Sequence, residues 1–213
     1  MATFSMSVGI MVAIAIGAMS PGPSFVLVSR ISVSNSRLHG LAAAIGMAFG
    51  GAFFAILALA GLVALLQQVD WLYLVLKCAG GLYLAYLGIA IWRGAREPIS
   101  VTPADGRSRF AVSRAFFLGI VTQVSNPKTA VVYASIFAAV MPQDPPLALI
   151  LALPPLIFLI EAGWYAIVAL VFSTPRSQRA YLGGKVWVDR LAGAVIGALG
   201  LRLIGESLAV LRR

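Results

Sequence analysis

Two ionisable residues of this chain, Lys128 and Glu161, fall near the middle of long apolar runs. A charge at the centre of a bilayer costs roughly 2.5–3.5 kcal/mol on insertion scales, so each belongs beside a partner or a wet cavity. Lys128 belongs to Asn126-Pro127-Lys128-Thr129, and a second proline break, Ser20-Pro21-Gly22-Pro23-Ser24, interrupts the first apolar run. Proline donates no backbone N–H and clashes with the carbonyl four residues earlier, and Gly22 allows unusual dihedrals. Hydrocarbon tolerates such freed backbone groups only where they are buried in protein or line a cavity. Ser20 and Ser24 offer hydroxyls, and Asn126 offers two donors and an acceptor. One broken segment in each half of a chain is the sequence pointer to a transport site at the bilayer midplane. A small zwitterion needs one cationic and one anionic partner, and Lys128 with Glu161 supplies both. Helix ends exposed at the breaks would add partial charges.

Each of these residues also has a plainer reading. A proline in a membrane helix often makes only a kink. Lys128 could snorkel to an interface, or hold Glu161 in a static ion pair. Hydrocarbon favours the neutral acid of Glu161, whereas a nearby Lys128 favours the carboxylate. A carboxyl held between these states can take up and release a proton, and Glu161 is the acidic residue expected deep in the membrane. Trp164 and Tyr165 follow it as candidate pocket walls, with aromatic packing between helices as the alternative. Arg202 and Glu206 are spaced i, i+4 and read as a surface pair.

These residues need a membrane around them. The 213-residue chain is 61% hydrophobic and only 11% charged, with mean hydropathy +0.96. A soluble domain is nearer a quarter charged, so this composition is that of an integral membrane protein. The excess of 16 Lys+Arg over 7 Asp+Glu is explained by basic loops, and no nucleic-acid partner is expected. Cys78 alone excludes an internal disulfide and a CxxC redox pair. His39 lies in a polar loop with no cluster of ligands beside it, so neither metal nor cofactor is expected. A membrane-embedded enzyme would need a positioned base or paired thiols, and neither is present.

Six apolar runs are read at about 6–29, 40–66, 71–92, 115–141, 146–173 and 186–208. The first has no Lys or Arg before it, so it is read as a retained span rather than a signal peptide. Most basic residues fall after runs one, three and five: Arg30 and Arg37; Arg93, Arg96, Arg107, Arg109 and Arg114; Arg176, Arg179, Lys185 and Arg190. Those loops are expected in the cytoplasm, with both termini outside. Arg212 and Arg213 at the C-terminus pull the other way and are outvoted by the loops.

The halves also resemble each other in order. Ser20-Pro21 matches Asn126-Pro127 at an offset of 106; residues 55–59 match 166–170 at 111; residues 77–80 match 190–193 at 113. Three spans per copy is an odd number, which inverts the second copy. The expected fold is therefore all-α and integral to the membrane. It has six transmembrane helices as two inverted three-helix repeats, with helices one and four broken at proline. Residues 1–92 form the first repeat, 93–114 a cytoplasmic linker and 115–213 the second repeat. Gly46-xxx-Gly50 and Gly193-xxx-Gly197 let helices approach closely, and such faces also permit a homodimer.

At these motifs the chain resembles the LysE/RhtB family of bacterial amino-acid exporters. The resemblance runs over nearly the whole length. It is carried by Ser20-Pro21-Gly22-Pro23, Asn126-Pro127-Lys128, the Gly-rich stretch 40–46 and the stretch Gly80-Gly81-Leu82-Tyr83-Leu84-Ala85-Tyr86-Leu87-Gly88. It implies a protein of the bacterial cytoplasmic membrane that exports an amino acid or related small metabolite, driven by protons. Ser24 stands where relatives often carry Asn or Asp, and Phe54, a third candidate pocket wall, stands where many carry His. Glu161 falls at a position where relatives often carry an acid. Losing two polar groups implies a less polar or differently shaped substrate. The other readings are export of another solute, such as a metal cation, and a scaffold subunit that transports nothing.

Overall fold

The computed structural model describes residues 2–20, 22–66, 70–97, 111–142 and 144–211, without the side chains of residues 2–7, 62–66, 70–74, 178 and 210–211. Within them the chain forms eight helices and no strand: α1 (Ala2–Met19), α2 (Pro23–Ser34), α3 (Arg37–Leu66), α4 (Asp70–Gly94), α5 (Val112–Val124), α6 (Pro127–Val140), α7 (Leu147–Phe172) and α8 (Pro175–Leu211). Pro21 and most of the linker, including Arg107 and Arg109, lie outside the described residues, as do Arg212 and Arg213.

The helix starts follow local chemistry. Gly22 is extended at the head of α2 and Pro23 takes the first helical position, where its missing N–H costs nothing. Asn126 caps α6 by accepting the Lys128 backbone N–H at 3.1 Å, with Pro127 at the first position. Thr174 and Ser36 cap α8 and α3 with their hydroxyls. Pro154 and Pro155 lie inside α7 without ending it.

α3, α4, α7 and α8 are each long and apolar enough to cross a bilayer, and α1 with α2 makes a further candidate span bent by 57° at the break. α5 and α6 have 13 and 14 residues, short of the roughly 20 that a crossing needs. Leu82, Tyr86, Phe117, Leu151, Leu159 and Leu201 point outward, each more than half exposed. In water such a surface would drive aggregation, whereas in a bilayer it faces acyl chains.

The sixth run extends further than the sequence suggests. α8 begins at Pro175 and has 37 residues, about 55 Å at 1.5 Å per residue. Arg176, Arg179, Lys185 and Arg190, expected in a loop, are therefore helical, and Lys185 is buried. Gly183 and Gly184 do not stop the helix, because its packed inner face outweighs their small propensity cost.

Glycines set the closest crossings. A Cβ on Gly46 or Gly119 would strike the backbone of the facing helix, so α3 and α5 run in near contact. α4 and α8 meet likewise, with Gly81 against Gly200 and Gly88 against Gly193. Two apolar clusters form the interior. One gathers Ile10, Ile14, Leu84, Phe137, Leu153 and Ile157. The other gathers Phe25, Val28, Met47, Val168 and Phe172.

Candidate functional site

The two breaks meet. A cavity between the apolar clusters is lined by Ser20, Gly22 and Ser24 from the first break, Asn126, Lys128 and Thr129 from the second, and Tyr133, Glu161 and Tyr165. Ile14 and Val132 close it toward one cluster and Phe25 toward the other. Its free volume is about 30 Å³ for the centres of water-sized spheres. That is room for a water or two, so a solute of amino-acid size needs the helices to part.

Lys128 Nζ donates to the Ser20 carbonyl at 3.1 Å and to Ser20 Oγ at 2.9 Å. The carbonyl of Ser20 is one that the break leaves available, and the ammonium is its partner. Lys128 thus bridges from α6 to the end of α1. The side chain also passes beside Gly22, where an added Cβ would stand 3.6 Å from Nζ.

Glu161 is 2% exposed, in the middle of α7. Its Oε1 accepts from Tyr133 Oη at 2.6 Å and Gln123 Nε2 at 2.7 Å, and its Oε2 accepts from the same amide at 2.9 Å. Gly51 on α3 makes this depth accessible, since a Cβ there would overlap the carboxylate. Among the described residues no ion pair joins Glu161 to Lys128. The static pair is therefore absent. Each charge is satisfied separately by neutral dipoles while both face one cavity.

A hydrogen-bond chain connects the breaks to the acid. Asn126 Nδ2 donates to Ser24 Oγ at 3.0 Å, Ser24 Oγ donates to Gln123 Oε1 at 2.5 Å, and Gln123 donates to Glu161. Every donor points toward the carboxylate, so its charge polarises the whole chain, and each bond strengthens the next. Tyr165 completes the corner with its hydroxyl against Ser24.

Most of the expected residues gather here. Ser20, Gly22, Ser24, Asn126, Lys128, Glu161 and Tyr165 all line the cavity. Pro23 and Pro127 shape the helix starts from its rim, both exposed. Phe54 and Trp164 pack elsewhere, one against each apolar cluster. Gln123, Tyr133 and Gly51 escaped sequence reasoning. Gln123 carried a signal, because a primary amide in the fourth apolar run is a polar group at membrane depth like Lys128. Gly51 carried none, since its role depends on which helix faces it. Asp189 is a second buried acid, 3% exposed, so Glu161 is not the lone acid in the interior.

The LysE type translocator family model matches residues 15–207. The chain belongs to this family. Among the relatives of this translocator, the threonine efflux protein of Salmonella typhi is 33% identical over 187 residues, covering 87% of this chain and 91% of the relative. The threonine efflux protein of Escherichia coli (strain K12) is 32% identical over the same length. An uncharacterized membrane protein of Haemophilus influenzae is 28% identical over 190 residues. No solved structure matches the chain. The match spans both breaks, so all of the cavity lining except Ile14 lies within the part of the chain that places it among the LysE type translocators.

Proposed function

We propose that this protein exports a small neutral amino acid or a close derivative from the cytoplasm, in exchange for protons. The observation that carries this reading is the shared cavity, in which a cation from the second break and a carboxylate from α7 face the same small space beside the first break. Lys128 would leave Ser20 to receive the substrate carboxylate. Glu161, with Tyr133 and Gln123, would receive the ammonium. The named threonine efflux relatives make threonine the first compound to try.

Proton exchange follows from the hydrogen bonds. As a carboxylate, Glu161 accepts from Tyr133 and Gln123; once protonated it must also donate, and one acceptor geometry is lost. That change passes through Gln123 and Ser24 to Asn126, so protonation is felt at both broken helices.

Alternating access has a structural basis in the repeat. We read α1 with α2, and α5 with α6, as two equivalent broken spans in inverted three-helix repeats. Two observations support this. Gly22 and Lys128, which exchange under the offset of 106, lie side by side, an added Cβ on Gly22 standing 3.6 Å from Lys128 Nζ. The close glycine pairs Gly81–Gly200 and Gly88–Gly193 exchange under an offset of 112, one residue from the 113 at which 77–80 match 190–193. Both are in keeping with a two-fold axis between the halves. Arg37 Nε reaches Ser173 Oγ at 3.4 Å and Lys185 reaches the Ala95 carbonyl at 3.0 Å. The basic connections thus share one end of the bundle. By the positive-inside bias this end faces the cytoplasm of a bacterial inner membrane, with both termini outside.

Counterflow in proteoliposomes, run with a panel of labelled amino acids, tests the reading. Accelerated exchange of at least one neutral amino acid is expected, and Lys128→Ala should lose it about 10- to 100-fold, the effect of removing a charged hydrogen-bond partner. Equal flux in empty liposomes and in liposomes with protein, for every compound, would overturn it.

A further inference from the structure

The cavity leaves one buried charged cluster unused. Lys185 and Asp189, one turn apart on α8, are 6% and 3% exposed, and Lys185 Nζ lies 2.7 Å from Asp189 Oδ2. The same ammonium donates to the carbonyl of Ala95, just beyond α4. Among the described residues, the other oxygen, Asp189 Oδ1, has no hydrogen-bond partner, and neither has the hydroxyl of Tyr181 two turns earlier. A buried polar atom without a partner is costly and calls for an explanation. Two of them in one cluster leave both an acceptor and a hydroxyl ready for a visiting group.

Their position relates them to the site. The Tyr181 ring stacks on Phe25 at 5.5 Å and meets Phe172 edge-on at 5.6 Å, while Phe25 and Phe172 are 5.4 Å apart. Phe25 is itself a wall of the cavity. The ring that carries the Tyr181 hydroxyl therefore packs directly on a wall of the cavity, and Lys185 on the same helix is tied to Ala95.

We propose that Lys185, Asp189 and Tyr181 form a second polar station on the transport route, with the Phe25–Phe172–Tyr181 contact as the partition between station and cavity. The ligand is the same small zwitterion, so its identity rests on the exporter reading, whereas the partition does not. Asp189 Oδ1 accepts from the ammonium. Lys185 exchanges its internal partners for the substrate carboxylate, which loosens α8 from Ala95. The solute then passes the three rings as they separate. A buried pair that is merely structural would pin α8 to α4 and do nothing else.

Two sided measurements test this in the full-length protein. The first places a reporter, Ala18→Cys, in the cavity wall of a Cys78→Ala background, in oriented vesicles with a membrane-impermeant thiol reagent. Tyr181→Ala should speed modification from the basic face about tenfold or more once the aromatic contact is gone, and leave the opposite face unchanged. Tyr181→Phe keeps the rings and should not. An unchanged rate at the basic face with Tyr181→Ala overturns the partition. The second is threonine counterflow with Asp189→Asn, which keeps side-chain size. Half-saturation at the basic face should rise about tenfold or more, as for a lost charged partner, with the other face unaffected. An equal change at both faces, accompanied by a lowered melting temperature, identifies a plain helix clamp and overturns the station. If no amino acid exchanges while Tyr181→Ala still exposes the reporter, the exporter reading fails and the partition stands.

Discussion

Glu161 illustrates how much a single side chain depends on its partners. Its carboxylate is held by three hydrogen bonds from two donors, and a bond to a charged group contributes roughly 1.5–3 kcal/mol. Tyr133→Phe removes one donor without opening a void. We expect about a tenfold loss of transport, with near-normal yield of folded protein, read from initial rates and from size-exclusion profiles. Glu161→Gln keeps the shape but cannot carry a proton. In vesicles with an imposed pH gradient, proton-driven flux should vanish, and amino-acid exchange should fall about tenfold or more because the amide offers the substrate ammonium no negative partner. Undiminished proton-driven flux would remove Glu161 from the coupling.

Helices impose the next constraint. α4 and α8 cross so closely that a Cβ on Gly88 would overlap the Gly193 carbonyl and the Gly197 backbone, whereas one on Gly183 or Gly163 meets nothing within 4 Å. Backbone cannot rotate away as a side chain can. Gly88→Leu should therefore cost about 1–3 kcal/mol or prevent folding, as overpacking does, while Gly183→Ala should raise stability by up to about 1 kcal/mol. Thermal melting of the purified protein in detergent checks both. The breaks obey the same logic in reverse. Pro23 and Pro127 are placed where a helix start tolerates proline, so the chain gains a bend without losing an internal hydrogen bond. The polar ends so exposed are satisfied by Lys128 on Ser20 and by Asn126 on its own helix.

Across the whole molecule, the interfaces run between the halves. α3 lies against α5 and α7, and α4 lies against α8 and α6, so each half finds its partners in the other. Expressing 1–97 and 111–213 as separate chains should give fragments that copurify and still exchange substrate when reconstituted together. Fragments that purify apart would contradict two interlocked repeats. Such an arrangement suits a translocator, because relative movement of the halves changes the packing around the cavity without unfolding either.

Much of this was legible in the linear chain because a bilayer applies a coarse filter. Apolar length, proline breaks and stray charges carry meaning there without knowledge of contacts, and Ser20, Asn126, Lys128 and Glu161 stood out on those grounds. Partner choice was not legible. That Lys128 binds Ser20 rather than Glu161, that Gln123 and Tyr133 hold the acid, and that Lys185 is buried rather than looped all depend on helix rotation and crossing distance. Those are set by small residues such as Gly51, Gly88 and Gly119, whose importance comes from the backbone of another helix. Local sequence cannot encode a neighbour that only three-dimensional packing supplies.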